Sequence, residues 1–223
     1  MTGPATRNWD GLTVPASGTY LLDQAHKRIG FVGRHMMVSP VRGEFTEAEA
    51  QIVVDDDPLR SSVTATMRSA SIVTGHDDRD VHLKSADFLD VERYPTLEYR
   101  STGVKLQDQT DSIFYWARLR SSNRLVGRRG GVDLASQPAR TSGRFVLTGE
   151  LTIKDITRPV DLQVEYGGAR RDPYGQDIFG FTARAEIERE DYGLLWNVAL
   201  EGGGVLVGKN VRIEIAGEAI RQS

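Results

Sequence analysis

Four histidines, His26, His35, His76 and His82, are the side chains of this sequence best suited to chemistry near neutral pH, because imidazole both moves protons and ligates metals. With Asp80 two residues before His82, the set His35, Asp80 and His82 has the composition of an acid/base group. A metal reading is weaker. His76 and His82 are six apart and share no helical face, and a zinc or iron centre wants three protein ligands in fixed geometry. The expectation is therefore no metal and no cofactor, with the histidines hydrogen-bonded as scaffold. Residues 203–210 nearly spell a phosphate-binding loop, but Asn210 stands where Ser or Thr would hold magnesium, and an alternating strand follows instead of a helix. No serine sits in G-x-S-x-G, H-E-x-x-H is absent, and the chain has no cysteine, which removes thiolate ligands, disulfides and a cysteine nucleophile together.

The elements that must position these residues are strands. Ile29, Phe31 and Gly33 fall on one face of a run reaching His35. Val63, Ala65 and Met67 oppose Ser62, Thr64 and Thr66; Leu97 and Tyr99 oppose Glu98 and Arg100; Leu162, Val164 and Tyr166 oppose Asp161, Gln163 and Glu165; Val211, Ile213 and Ile215 oppose Arg212, Glu214 and Ala216. Such alternation puts one face on an apolar interior and one in water, as in antiparallel sheets. Turns such as Asp57-Pro58, Tyr94-Pro95, Gly167-Gly168 and Asp172-Pro173-Tyr174-Gly175 separate the runs. The pattern predicts an all-β fold, an antiparallel lipocalin-like barrel of eight or more strands, with a sandwich as the competing architecture.

One stretch breaks the alternation. Residues 74–90 read as a short helical excursion with Thr74 as N-cap, Asp77 and Asp78 in the first turn, and Ser85 capping a second turn. Val81, Leu83, Phe88 and Leu89 would tie it onto one end of the barrel. Residues 1–17 read as a loose N-terminal arm on which Trp9 docks, and residues 18–223 as a single domain. The chain of 223 residues has a formal net charge of −3, so its bulk electrostatics do not favour nucleic acid. No stretch is long and apolar enough to span a membrane, and the N-terminal residues lack a signal-peptide pattern; cytoplasmic residence is the expectation, with self-association into a homodimer left open.

Several segments resemble the YceI-like family. Gly18-Thr19-Tyr20-Leu21-Leu22-Asp23-Gln24-Ala25-His26, then Ile29-Gly30-Phe31 and Arg34-His35-Met36-Met37, are similar to its first strands and its aspartate-to-histidine turn. Val41-Arg42-Gly43-Glu44-Phe45 follows. Arg79-Asp80-Val81-His82-Leu83 through Asp87-Phe88-Leu89-Asp90 and Tyr94-Pro95 resemble its central signature, Gly149-Glu150-Leu151-Thr152-Ile153 with Thr157-Arg158-Pro159-Val160 the second, and Arg189-Glu190-Asp191-Tyr192-Gly193 the third. The resemblance implies a barrel enclosing an apolar cavity for isoprenoid or other lipid-like chains. It also implies that His26, His35 and His82 converge with Asp80 as a polar cluster at one barrel end.

The chain departs from that pattern at residues 118–144. This basic insertion carries Arg118, Arg120, Arg124, Arg128, Arg129, Arg140 and Arg144 against one acid, Asp133. Arg124, Arg128 and Arg129 are the candidate contacts for an acidic headgroup through bidentate guanidinium pairing. For the tail, Phe31, Phe45, Met67, Tyr99, Phe179, Phe181 and Trp196 are the expected cavity lining. Each buried methylene is worth about 0.8 kcal/mol, against about 1 kcal/mol for a net hydrogen bond, so the tail would dominate affinity. The function this predicts is non-enzymatic binding of an isoprenoid, isoprenoid quinone or other lipid-like partner as a carrier or sequestering protein. The alternative is an enzyme acting on a bound apolar substrate through His35, Asp80 and His82.

Overall fold

A computed structural model describes residues 4–107, 140–199 and 205–222. In chain order its elements are β1 (Thr6–Trp9), β2 (Leu12–Pro15), β3 (Gly18–His35), β4 (Ser39–Phe45), β5 (Ala48–Val54), β6 (Ser62–Arg68), β7 (Ile72–Val73), α1 (Asp77–Lys84), β8 (Thr96–Leu106), β9 (Gly143–Ile153), β10 (Ile156–Pro159), β11 (Leu162–Arg171), β12 (Asp177–Glu188) and β13 (Asn210–Arg221). Strands β3, β5, β6, β8, β9, β11, β12 and β13 pair antiparallel in that order, and β13 returns to β3 to close the barrel. The alternating faces survive in the register: Ala65 sits opposite Tyr99, and Met67 opposite Leu97. The sandwich alternative therefore gives way to a barrel.

Closure requires strongly coiled strands, and irregularities in the ladders supply the bend. Register shifts occur between Ser101 and Gly103, between Tyr166 and Gly168, and between Gly217 and Ala219. Gly149 shows why the second signature begins with glycine. A Cβ there would stand 2.7 Å from the Arg100 carbonyl and collide with the Tyr99 phenol, whose hydroxyl donates to the carbonyls of Leu147 (3.0 Å) and Val160 (3.3 Å). Only a glycine lets the Tyr99 ring lie this close against β9.

The two barrel ends differ. At one, β1 and β2 form a hairpin that buries Leu12 and Val14 beside Tyr20, Ile52, Val54, Phe145, Tyr166 and Phe179. This corrects the expectation of a loose arm over residues 1–17. Asp10 and Gly11 both take positive φ (46° and 71°), the left-handed pair that a tight two-residue hairpin turn needs, and Leu12 and Val14 supply an apolar face that is stable only when docked. The segment is a plug.

At the other end lie α1, the β3–β4 turn and residues 194–208. The helical excursion is shorter than expected, and Thr74 is not its N-cap. His76 takes that position without a side-chain cap. Asp80 reaches back from the first turn and accepts from both the Thr74 N–H (2.9 Å) and the Thr74 hydroxyl, while the Thr74 hydroxyl oxygen accepts from Arg79 Nε (2.7 Å) and not from a backbone N–H of the first turn. Ser85 does stop the helix: its N–H and hydroxyl both donate to the His82 carbonyl, and its Oγ accepts from the Asp87 N–H. Phe88 and Leu89 are buried as expected, but Val81 is 70% exposed. In an eight-residue helix that rests on Leu83 and His82, Val81 falls on the solvent side.

Candidate functional site

A cavity of about 670 Å³ runs along the barrel axis, and its walls are almost free of polar atoms. Strand alternation makes it: each barrel strand sends every second side chain inward, and here those side chains do not meet in the middle. Ile29, Phe31, Ala65, Ile213 and Ile215 face inward yet remain only partly buried. They are exposed to the cavity, not to the outer surface. All seven residues expected to line an interior, Phe31, Phe45, Met67, Tyr99, Phe179, Phe181 and Trp196, line it.

The cavity is closed at the hairpin end and polar at the other. Val14, Pro15, Pro58, Phe145, Tyr166 and Phe179, all buried, seal the first. Towards the second the lining becomes Arg34, His35, Asp78, Arg79 and His82, of which Arg34, His35 and Asp78 are exposed. We take this end as the mouth. His82 is fixed there by three contacts: its Nε2 lies 2.9 Å from Asp87 Oδ2, and its ring stands edge-on to Trp196 (centroids 4.4 Å) and to Phe88 (5.0 Å).

Arg189 organises the rim, and sequence reasoning missed its burial. Its side chain is almost wholly enclosed, with Nε donating to the Gly208 carbonyl (3.0 Å) and Nη1 to the carbonyls of Leu194 and Trp196 (3.1 Å for Trp196). Nη2 is buried without a hydrogen-bond acceptor, 3.9 Å from Glu190 Oε1. Burial lowers the guanidinium pKa and the Glu190 charge partly opposes this. One side chain thus ties the third signature to the turn before β13. Gly193, at φ 70°, returns the chain after the single turn Arg189–Tyr192.

The expected convergence of His26, His35, Asp80 and His82 does not occur. His35 and His82 both line the mouth, whereas Asp80 faces Thr74. His26 sits outside the wall, because Asp23 to His26 bulge from β3 opposite the single residue Glu218. A bulge reverses the face that alternation assigns. There His26 Nδ1 lies 2.6 Å from Asp23 Oδ2 and 3.9 Å from Glu218 Oε2. This is the single group of three potential metal ligands among the described residues whose donor atoms lie within 4.8 Å of one another, and none of the three lines the cavity.

The Asp23–His26 bond sets a pH window. The hydrogen bond that His26 donates to Asp23, then the carboxylate charges of Asp23 and Glu218, raise His26 above its ordinary 6.5. The same bond, with the Ala25 N–H, lowers Asp23 below 3.8. The His26 contribution is complete below about pH 6.5 and lost as pH rises through the raised value; the Asp23 contribution is complete above about pH 3.8 and lost as pH falls through the lowered one. Between those limits the bulge is held. In an NMR titration His26 should titrate above 6.5, and Asp23→Asn should bring it down; an unchanged midpoint in the variant contradicts the pairing.

Arg124, Arg128 and Arg129 lie outside the described residues. The flanking Arg140, which lies among the described residues, exchanges backbone hydrogen bonds with Gly11 and Thr13 of the plug.

Comparison with known proteins agrees with this architecture. The model of the YceI-like domain matches residues 20–219. A UPF0312 protein of Staphylococcus epidermidis is 33% identical over 198 residues, covering 88% of this chain and 94% of that protein. Two solved structures share the fold: Burkholderia cenocepacia BcnA, with TM-score 0.59, 18% identity and coverage of 88% and 98%, and a polyisoprenoid binding domain from Saccharophagus degradans, with TM-score 0.57, 11% identity and coverage of 93% and 100%. Family model, relative and fold agree with the motifs, and the chain belongs to the YceI-like family.

Proposed function

We propose that the chain binds one long apolar molecule, an isoprenoid, isoprenoid quinone or other lipid-like chain, inside the barrel, and acts as its carrier or sequestering protein. The observation that carries this reading is the cavity: about 670 Å³ of apolar space, sealed at one end and polar at the other. Water gains few hydrogen bonds in such a space, whereas an alkyl or prenyl chain fills it with dispersion contacts and leaves water itself. The Saccharophagus domain of the same fold is described as polyisoprenoid binding, which supports the ligand class.

The volume sets a length. A water takes about 30 Å³ and a methylene is of similar size, so the cavity accepts on the order of twenty chain carbons. A catalytic reading through His35, Asp80 and His82 gains little support, because Asp80 is turned to Thr74 and is not on the cavity that the two histidines line. The test is a titration with a homologous series of prenols. Affinity should rise steeply up to geranylgeraniol and then level off, as further units are left in water. A flat series, with geraniol bound as tightly as geranylgeraniol, contradicts the cavity as the binding site.

A further inference from the structure

The mouth is surrounded by apolar side chains that the cavity does not need. Met36, Met37, Val38, Val81, Leu195 and Val198 are between 44% and 78% exposed. They belong to three separate pieces of chain that the fold joins at this end. The Met36 N–H donates to the Leu206 carbonyl (2.8 Å), and the Leu206 N–H to the Val198 carbonyl (3.0 Å). The Asn197 amide donates to the Val207 carbonyl (2.8 Å). Trp196, beside Leu195, packs on His82, beside Val81. Met36 and Met37 both have positive φ (51° and 60°), so the β3–β4 turn is a tight one that holds its side chains outward. An apolar ring of this kind marks an interaction surface.

We infer that this end docks on a lipid bilayer, with the Met36-Met37-Val38 turn entering the interface and the mouth facing the acyl chains. The inference rests on the proposed binding of a lipid-like cargo. Two observations choose the bilayer over other occupants. The apolar ring is continuous with the lining through Trp196, Leu206 and Val207, so a cargo molecule would pass from membrane to barrel without crossing water. The charges at the rim are of both signs, with Arg34, Arg79 and Lys209 against Asp77, Asp78 and Glu190, which gives no field to hold a polyanion and leaves apolar insertion as the driving term. A second copy seated on the ring would block the mouth.

The experiment is flotation of the full chain with vesicles of phosphatidylcholine alone. A parallel assay measures loading with a fluorescent prenol, once from vesicles and once from detergent micelles. The triple variant Met36→Asn, Met37→Asn, Val38→Ser keeps residues that tolerate positive φ at the first two positions, and Tyr174→Ser removes an exposed apolar side chain from the β11–β12 turn as a control. Wild type and control should float. The triple variant should lose vesicle partitioning by about tenfold or more and load slowly from vesicles, while loading normally from micelles. Wild type that loads from micelles but does not float overturns the docking surface and leaves the cavity reading standing. Flotation without loading from either source overturns the cavity reading instead. Binding only to vesicles containing phosphatidylglycerol, abolished by salt and unchanged in the triple variant, overturns apolar docking, as does a dimer that the triple variant dissolves without any flotation.

Discussion

Replacing Ala65 with phenylalanine should abolish tight binding of a long-chain ligand while leaving the protein as stable as before or more so. Ala65 lies mid-barrel on β6, opposite Ala50 on β5 and Tyr99 on β8, with its methyl group on the cavity. A benzyl group there projects across the space a chain must occupy. Displacing a few methylenes at about 0.8 kcal/mol each weakens binding by roughly 3 kcal/mol, about a hundredfold. The stability result is the sharper discriminator. In a filled core the added ring would cost about 1–3 kcal/mol through overpacking; in an open one it buries its own surface and leaves stability unchanged or raised by about 1 kcal/mol. Isothermal titration with geranylgeraniol and urea unfolding of the same variant measure both. Unchanged affinity together with marked destabilisation would mean that the barrel interior is simply packed.

Substitution of Arg189 should have the largest effect on folding. Arg189→Met keeps most of the stem but leaves the carbonyls of Leu194, Trp196 and Gly208 without their donors. Unpaired buried acceptors cost about 1–3 kcal/mol each before water reaches them, and breaking a buried charged cluster commonly costs about 3–5 kcal/mol in all. Against typical stabilities of about 5–15 kcal/mol, the expected outcome is a rim that opens well below the global unfolding temperature, or a chain that fails to fold. Arg189→Lys should rescue little, because one ammonium cannot reproduce the planar fork reaching three carbonyls. Circular dichroism melting and hydrogen exchange at residues 194–199 and 205–208 report this directly. A wild-type melt and unchanged protection in Arg189→Met would show that the rim is held by packing alone.

Much of the fold was legible because period-two alternation maps directly onto barrel walls. The seven residues expected to line an interior also lie on the cavity; six come from strands, where an inward position in a wide barrel faces the cavity, and Trp196 comes from the irregular segment after Arg189–Tyr192. Where the reading failed, a local feature overrode the period. The Asp10-Gly11 turn before alternating Leu12 and Val14 is a visible hairpin signal, but with so few apolar residues among polar ones the stretch reads as a loose arm. The bulge at Asp23–His26 leaves no trace in hydropathy, so nothing in the sequence sets His26 apart from the other histidines that the family resemblance groups with it. Arg189 is legible only as an exposed charge, because arginine is rarely buried unless paired; its acceptors at Leu194, Trp196 and Gly208 lie in an irregular stretch whose path no hydropathy period shows. The three consecutive apolar residues Met36, Met37 and Val38 at a turn were the one sequence sign of the ring around the mouth.

The central claim is that the barrel is a container, and recovery of its contents tests it most directly. The protein, purified from its native host without detergent, is weighed by native mass spectrometry and then extracted with organic solvent for identification of what is released. The account predicts an added mass of one molecule per chain, apolar, with on the order of twenty carbons inside the barrel, and its loss in Ala65→Phe. A bare polypeptide mass, unchanged after incubation with prenols, quinones and fatty acids of that length, would contradict it.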